Sequence, residues 1–247
     1  MSKTSEKIAA MREGGQRLAG IKAELKKQVK TGVTAKEIDD LAERLIKKAG
    51  GEPSFKMVEN YEWSTCVNVN EGVVHGIPKE TLVFKKGDIV SVDVGMFYKG
   101  YHTDTSFSIG LKPSSKDARF LKVGKEALEA GISQAKVGNR IYDISKAIEE
   151  TLKKNGATAI KALVGHGIGE KLHEEPAIPC FTSGKREESP IISEEMTLAI
   201  EVMYAQGKAG IEIGTDGWTI STQDGKISAL FEETVASMAS GPLLLTK

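Results

Sequence analysis

The sequence predicts an α+β fold, and three observations carry that prediction. Helix-like and strand-like stretches fall into separate runs instead of strict β-α-β alternation; the order of helices followed by strands occurs twice along the chain; and acidic residues interrupt the apolar strands in both runs. No residue-level repeat accompanies the doubled order. The chain has 247 residues, 40% hydrophobic and 28% charged, enough for a sizeable core. No Pro/Ser-rich linker or low-complexity tract marks a boundary, so one domain over residues 1–247 is expected. Lys plus Arg and Asp plus Glu both number 34, which leaves no global field toward nucleic acid or anionic lipid. No apolar run is long enough to span a bilayer, and the opening stretch lacks the features of a signal peptide, so a cytoplasmic protein without membrane contact is expected. Only Cys66 and Cys180 occur, far apart, which suits a reducing compartment and excludes a cysteine zinc cage.

Taken in order, residues 5–30 predict an amphipathic helix through Ile8, Met11, Leu18, Ile21, Leu25 and Val29, weakened in the middle by Gly14 and Gly15. Thr34-Ala35-Lys36-Glu37 has the spacing of a capping box and opens a second helix that stops at Gly50-Gly51. Residues 64–70 alternate as a strand, and residues 71–78 end in a turn before Lys86-Gly87-Asp88 leads into two strand-like runs within residues 89–110. Helices follow over 117–137 and 141–155, closed by Gly138 and Gly156. The remainder returns to strands: a glycine-bounded segment at 161–169, strands at 197–203 and 228–238, and a hairpin over 210–222 around Thr215-Asp216-Gly217.

The centre of the chain is the hairpin within IVSVDVGMFYKGYHTDTSFSIG, Ile89 to Gly110. If Tyr98 and Lys99 form a two-residue turn, Asp93 stands directly opposite Asp104. Opposed, buried carboxylates repel and need a proton or a cation between them, so a divalent metal answers the pattern; the alternative is one capping aspartate and one solvated one. Glu201 and Glu232 interrupt the apolar strands at 197–203 and 228–238 and read either as ligands or as edge-strand residues. Period-two alternation puts Glu232 and Glu233 on opposite faces. Of four histidines, His75, His166 and His173 sit in glycine- or proline-rich turns from which a ring can reach a cleft, although each alone reads equally as a structural histidine. Two Asp, two Glu and one His form a hard, oxygen-rich set that suits a pair of divalent transition ions better than a structural zinc.

Eight stretches in register give this chain its likeness: Asn70-Glu71 through His75-Gly76-Ile77-Pro78, Val92-Asp93-Val94-Gly95, His102 through Asp104-Thr105-Ser106, Gly165-His166-Gly167-Ile168-Gly169, His173-Glu174-Glu175-Pro176, Ile200-Glu201, Asp216-Gly217-Trp218-Thr219, and Ser228-Ala229 through Glu232 and Thr234. Over essentially its whole length the sequence resembles the type I methionine aminopeptidases. The resemblance implies a pita-bread fold of two pseudo-symmetric halves around a two-metal cleft. It also implies Asp93, Asp104, His166, Glu201 and Glu232 as ligands, Asp104 and Glu232 bridging both ions, which could be cobalt, manganese, iron, zinc or nickel. Glu201 would also shuttle a proton, His173 would donate to the developing oxyanion, His75 would bond the peptide, and Tyr61, Cys66, Leu172 and Trp218 would line the methionine pocket. The substrates would be nascent peptides beginning with Met and a small residue, hydrolysed by a monomer. Transient ribosome association through Lys7, Lys22, Lys26 and Lys30 is a further expectation, which an ordinary solvated helix face explains equally well. The sequence departs from the family at Val74, Thr103, Leu172, Glu194-Glu195, Val202 and Glu233, none a ligand position. Two other readings are a proline-directed pita-bread peptidase, which would carry an extra N-terminal domain, and a metal-free peptide or RNA binder, which would lack a ligand.

Overall fold

The computed structural model describes residues 3–247. In chain order the elements are α1 (Lys3–Gln28), α2 (Ala35–Lys48), β1 (Glu52–Pro53), β2 (Thr65–Val69), β3 (Gly72–Val74), β4 (Ile89–Tyr98), β5 (Tyr101–Gly110), α3 (Ser115–Ser133), α4 (Ile141–Lys154), β6 (Thr158–Ala159), β7 (Val164–Gly167), β8 (Glu174–Pro179), β9 (Thr197–Ala205), β10 (Ile211–Ile213), β11 (Ile220–Thr222), β12 (Ser228–Met238) and β13 (Gly241–Leu244). Ten strands share one sheet along the path β1-β4-β5-β12-β9-β7-β8, with β2 on β4, β6 on β9 and β13 on β12; β10, β11 and β3 form a small second sheet. Among the described residues no helix is long and apolar enough to cross a membrane.

The helices cover one face of the large sheet. Leu18, Ile38 and Ile46 pack with Val92, Val94 and Met96 in a first core, and Leu128 and Ile144 pack with Leu198, Tyr204 and Leu230 in a second. Alternation then turns Asp93 and its neighbours toward the other face. The capping box at α2 is present: Thr34 Oγ1 accepts from the Glu37 backbone N–H at 3.1 Å, and the Thr34 N–H donates to Glu37 Oε2 at 2.7 Å.

The first helix is continuous as expected, while two later expectations, the register of the central hairpin and the setting of His166, need correction. α1 runs unbroken through Gly14 and Gly15, because both glycines serve close packing: a Cβ at Gly15 would lie 2.3 Å from the Leu245 carbonyl oxygen, and one at Gly14 3.1 Å from Tyr98 Cβ. The central hairpin turns at Lys99-Gly100, both with positive φ (49° and 87°), as a type I′ turn requires. Tyr98 therefore pairs with Tyr101, Asp93 faces Ser106, and Asp104 faces Gly95. The shift is two positions, so both carboxylates keep the same face and become diagonal neighbours. His166, expected in a turn, lies within β7 opposite Ala199.

Candidate active site

The site is built from two adjacent rows of side chains across the sheet. β12 joins the halves, pairing with β5 on one side and β9 on the other. Along the first row the register places Cys66 opposite Asp93, Asp93 opposite Ser106, Ser106 opposite Glu232 and Glu232 opposite Glu201. One step along, Gly95 faces Asp104, Thr234 faces Ala199, and Ala199 faces His166. The Asp104 N–H donates to Thr234 Oγ1 at 2.9 Å, and that hydroxyl donates to the Asp104 carbonyl at 2.7 Å, which ties the halves together at this row. Glu233 points to the opposite face, as alternation requires.

Asp104, His166 and Glu232 each offer a donor atom, and the three atoms lie within 4.8 Å of one another. Asp104 and Glu232 are only 3% and 2% exposed. Asp93 and Glu201, half-buried, line the same cleft. Burial pushes the Asp93 carboxyl up to about 7, and burial together with mutual repulsion raises Asp104, Glu201 and Glu232 well above the ordinary carboxylate range. Asp93 Oδ1 is buried without a hydrogen-bond partner. Four crowded carboxylates with an orphaned oxygen are costly unless protons or a cation neutralise them. His166 completes the donor set: its Nδ1 lies 2.9 Å from the Gly167 carbonyl oxygen, so with the proton there Nε2 presents a lone pair. Burial holds that ring at about 4, leaving neutral imidazole at neutral pH. The hard oxygen donors and one imidazole fit divalent transition ions. Cys66, by contrast, is kept a neutral thiol by burial and by the Asp93 charge, which makes it wall and not thiolate ligand.

All eleven residues singled out from sequence line one cleft of about 410 Å³: Tyr61, Cys66, His75, Asp93, Asp104 and His166 with Leu172, His173, Glu201, Trp218 and Glu232. His75 follows β3 with φ of 56°, a backbone setting uncommon outside glycine, at the solvent-exposed mouth. The His173 ring packs edge-on against His166 with centroids 4.5 Å apart. Tyr61 donates to the Thr65 carbonyl at 2.9 Å and meets Trp218 edge-to-face at 5.0 Å. Asp216 fixes the turn bearing Trp218 by accepting from the Trp218 and Thr219 backbone N–H groups at 3.1 and 2.9 Å and from Lys79 Nζ at 2.9 Å. His102 stays out of the cleft, buried with its Nδ1 2.9 Å from Ser54 Oγ. Phe55, Val58, Leu163 and Met203 also line the cleft and were not foreseen. Met203 was legible, two residues beyond Glu201 on the same strand face; Phe55 and Val58 lie in an irregular stretch without periodic signal.

The chain belongs to the metallopeptidase family M24, whose model matches residues 9–236. Within that class, it is similar over its full length to methionine aminopeptidases. It is 41% identical over 246 residues to methionine aminopeptidase 1 of Bacillus subtilis, covering 99% of this chain and 98% of that one. It is 39% identical over 245 residues to the methionine aminopeptidase of Clostridium perfringens, covering 99% and 97%. The crystal structure of methionine aminopeptidase from Thermotoga maritima superposes with a TM-score of 0.95 at 37% identity, covering 98% of this chain and 97% of that one. The fold is thus the expected pita-bread fold. Prolidase from Pyrococcus furiosus shares the fold at 21% identity and a TM-score of 0.78, and this chain spans 64% of it.

Proposed function

We propose that this chain hydrolyses the first peptide bond of polypeptides that begin with methionine followed by a small residue. The observation that carries the reading is the juxtaposition of the carboxylate rows with an aromatic-walled pocket in one cleft. Two divalent cations would be held by Asp93, Asp104, His166, Glu201 and Glu232. When bound, such ions lower the pKa of a water and polarise the scissile carbonyl.

The chain's own residues then have distinct tasks. Glu201 accepts the proton of the attacking water and passes it to the nitrogen of the leaving amine. His173 donates an N–H to the oxyanion as it develops, and His75 bonds the peptide near the scissile nitrogen. Tyr61, Cys66, Leu172 and Trp218 receive the methionine side chain, whose polarizable thioether suits an aromatic wall beside a small sulfur-bearing floor. Residues 1–247 act as a single domain and a monomer in the cytoplasm. Transient contact with the ribosome would use the exposed Lys26 and Lys30, since Lys22 is occupied by Glu233 and Thr105.

The test strips the protein of metal and follows a Met-Ala-Ser peptide while cobalt, manganese, iron, zinc or nickel is added back. Methionine release should return with at least one metal and reach saturation at two ions per chain. Equal rates on peptides starting with Lys or Ala would overturn the methionine assignment, and saturation at one ion would overturn the dinuclear one.

A further inference from the structure

On the face of the sheet turned away from the cleft, α1 and α3 stand apart over the junction of β5 and β12, leaving a groove of about 530 Å³. Its floor is apolar, made by Phe107 and Phe231 from the sheet with Leu128 and Leu244 beside them, and Ala19 and Ala23 keep the α1 wall low. The rim is basic. Lys22, Lys26, Lys125 and Lys247 line it against Glu129 and Glu233. Glu233 is already satisfied, accepting from Lys22 Nζ at 2.6 Å, from Thr105 Oγ1 at 3.1 Å and from the Thr246 hydroxyl. Of the two carboxylate side chains on the rim, the exposed Glu129 is the one left facing Lys26, Lys125 and Lys247.

Among the described residues neither Lys26 nor Lys125 has a carboxylate partner within ion-pair distance. Lys125 Nζ instead hangs 5.7 Å from the centroid of the Phe231 ring. Partial burial and the neighbouring ammonium groups of Lys125 and Lys22 hold Lys26 below the ordinary lysine range. Like charges gathered over an aromatic floor are relieved by an anion that brings its own apolar surface. The volume suits a small molecule and is too confined for a folded partner.

We propose that this groove binds a small amphiphilic anion, its carboxylate, sulfonate or phosphate head between Lys26 and Lys125 and its apolar body on Phe107 and Phe231. The site lies across the sheet from the proposed catalytic residues and is independent of their assignment.

The test titrates the full-length, metal-loaded protein with 1-anilinonaphthalene-8-sulfonate, and in parallel with N-phenyl-1-naphthylamine, which keeps the same ring body without the charge. One saturable site is expected for the sulfonate, weakened about tenfold or more by the double substitution Lys26→Gln/Lys125→Gln. The neutral probe should bind at least tenfold less tightly and ignore that substitution. Ala23→Met, which fills the groove without changing charge, should also weaken the sulfonate, while both variants keep the wild-type melting temperature and peptide hydrolysis. Dodecanoate should displace the probe and an acidic peptide should not. The proposal is overturned if the variants bind the sulfonate as the wild type does, if both probes bind equally, if no saturable site exists, if the probe competes with Met-Ala-Ser, or if the peptide displaces it.

Discussion

The first half of the chain presents Asp93 and Asp104 from one hairpin, whereas the second presents His166, Glu201 and Glu232 from β7, β9 and β12. In the hairpin, β4 and β5 are neighbours in both sequence and space, so a two-residue turn and its register place both carboxylates. In the second half the placement depends on how distant strands are ordered, and β12 bridges to the first half through Thr234 and Ser106. Identical chemistry is thus local in one half and global in the other. Damage to the global half should spread further.

The largest effect is therefore expected at Glu232, which touches both halves. Glu232→Gln should abolish retention of the full metal complement and lower kcat/KM by roughly 10³-fold or more. The metal-free protein should at the same time melt higher, because one of four repelling carboxylates is gone. Metal analysis and calorimetry check both halves of that expectation, and a metal-free variant that melts lower would show that the carboxylates are not in conflict.

Next come the two cleft histidines, which are proposed to touch substrate and not metal. His75→Ala and His173→Ala should each cost about 10² to 10³ in kcat while metal content and melting temperature hold. Loss of metal in either variant would move that histidine into the ligand set.

A stability lesion confined to the first half is expected at Asp39. Its buried Oδ1 accepts from the Ser64 N–H, the Thr65 N–H and Thr65 Oγ1, each at 2.9 Å, and so pins α2 to the strand that carries Cys66. Asp39→Ala should cost about 2 to 3 kcal/mol by denaturant unfolding. Burial raises the Asp39 carboxyl above its ordinary 3.8 more than these hydrogen bonds lower it. A raised folded-state pKa gives a contribution fully present below the unfolded value and lost as pH rises through the folded one. The melting-temperature advantage of the wild type over Asp39→Asn should then shrink as pH rises from below 3.8, and a widening gap would mean that the hydrogen bonds win.

The smallest effect concerns the pocket. Leu172 is buried on the cleft wall. Leu172→Phe should sharpen the preference for methionine over leucine and norleucine by about 1 kcal/mol in kcat/KM, within the range of one methylene in an apolar pocket. Unchanged ratios across the three peptides would place that side chain outside the methionine subsite.

How much of this could be read beforehand follows the same division. Alternation around Asp93 and Asp104 puts both on one face, and the two-position slip has its cause in the turn, where Lys99-Gly100 makes a better type I′ pair than Tyr98-Lys99. Glu201 and Glu232 stood out as charges inside apolar strands, yet nothing local says that β12 inserts between β5 and β9; only likeness to a known family supplied their convergence. The packing role of Gly14 and Gly15 was hidden for a related reason. Their partners, Tyr98 and Leu245, are far along the chain, and propensity alone weighs the cost of a helical glycine without the close approach it permits.

The position of β12 also bears on how the protein comes into being. The longest strand at the centre of the sheet follows both of its neighbours in the chain, so β5 and β9 each present an unpaired edge until it arrives. Such edges recruit other chains, and pairings between residues so distant in sequence form slowly. The proposed ligand set needs Glu232 and would not exist before that strand is seated, so cations bound there would stabilise only the finished sheet. Metal supply would then act on the open-edged forms only by mass action, drawing them toward the closed sheet.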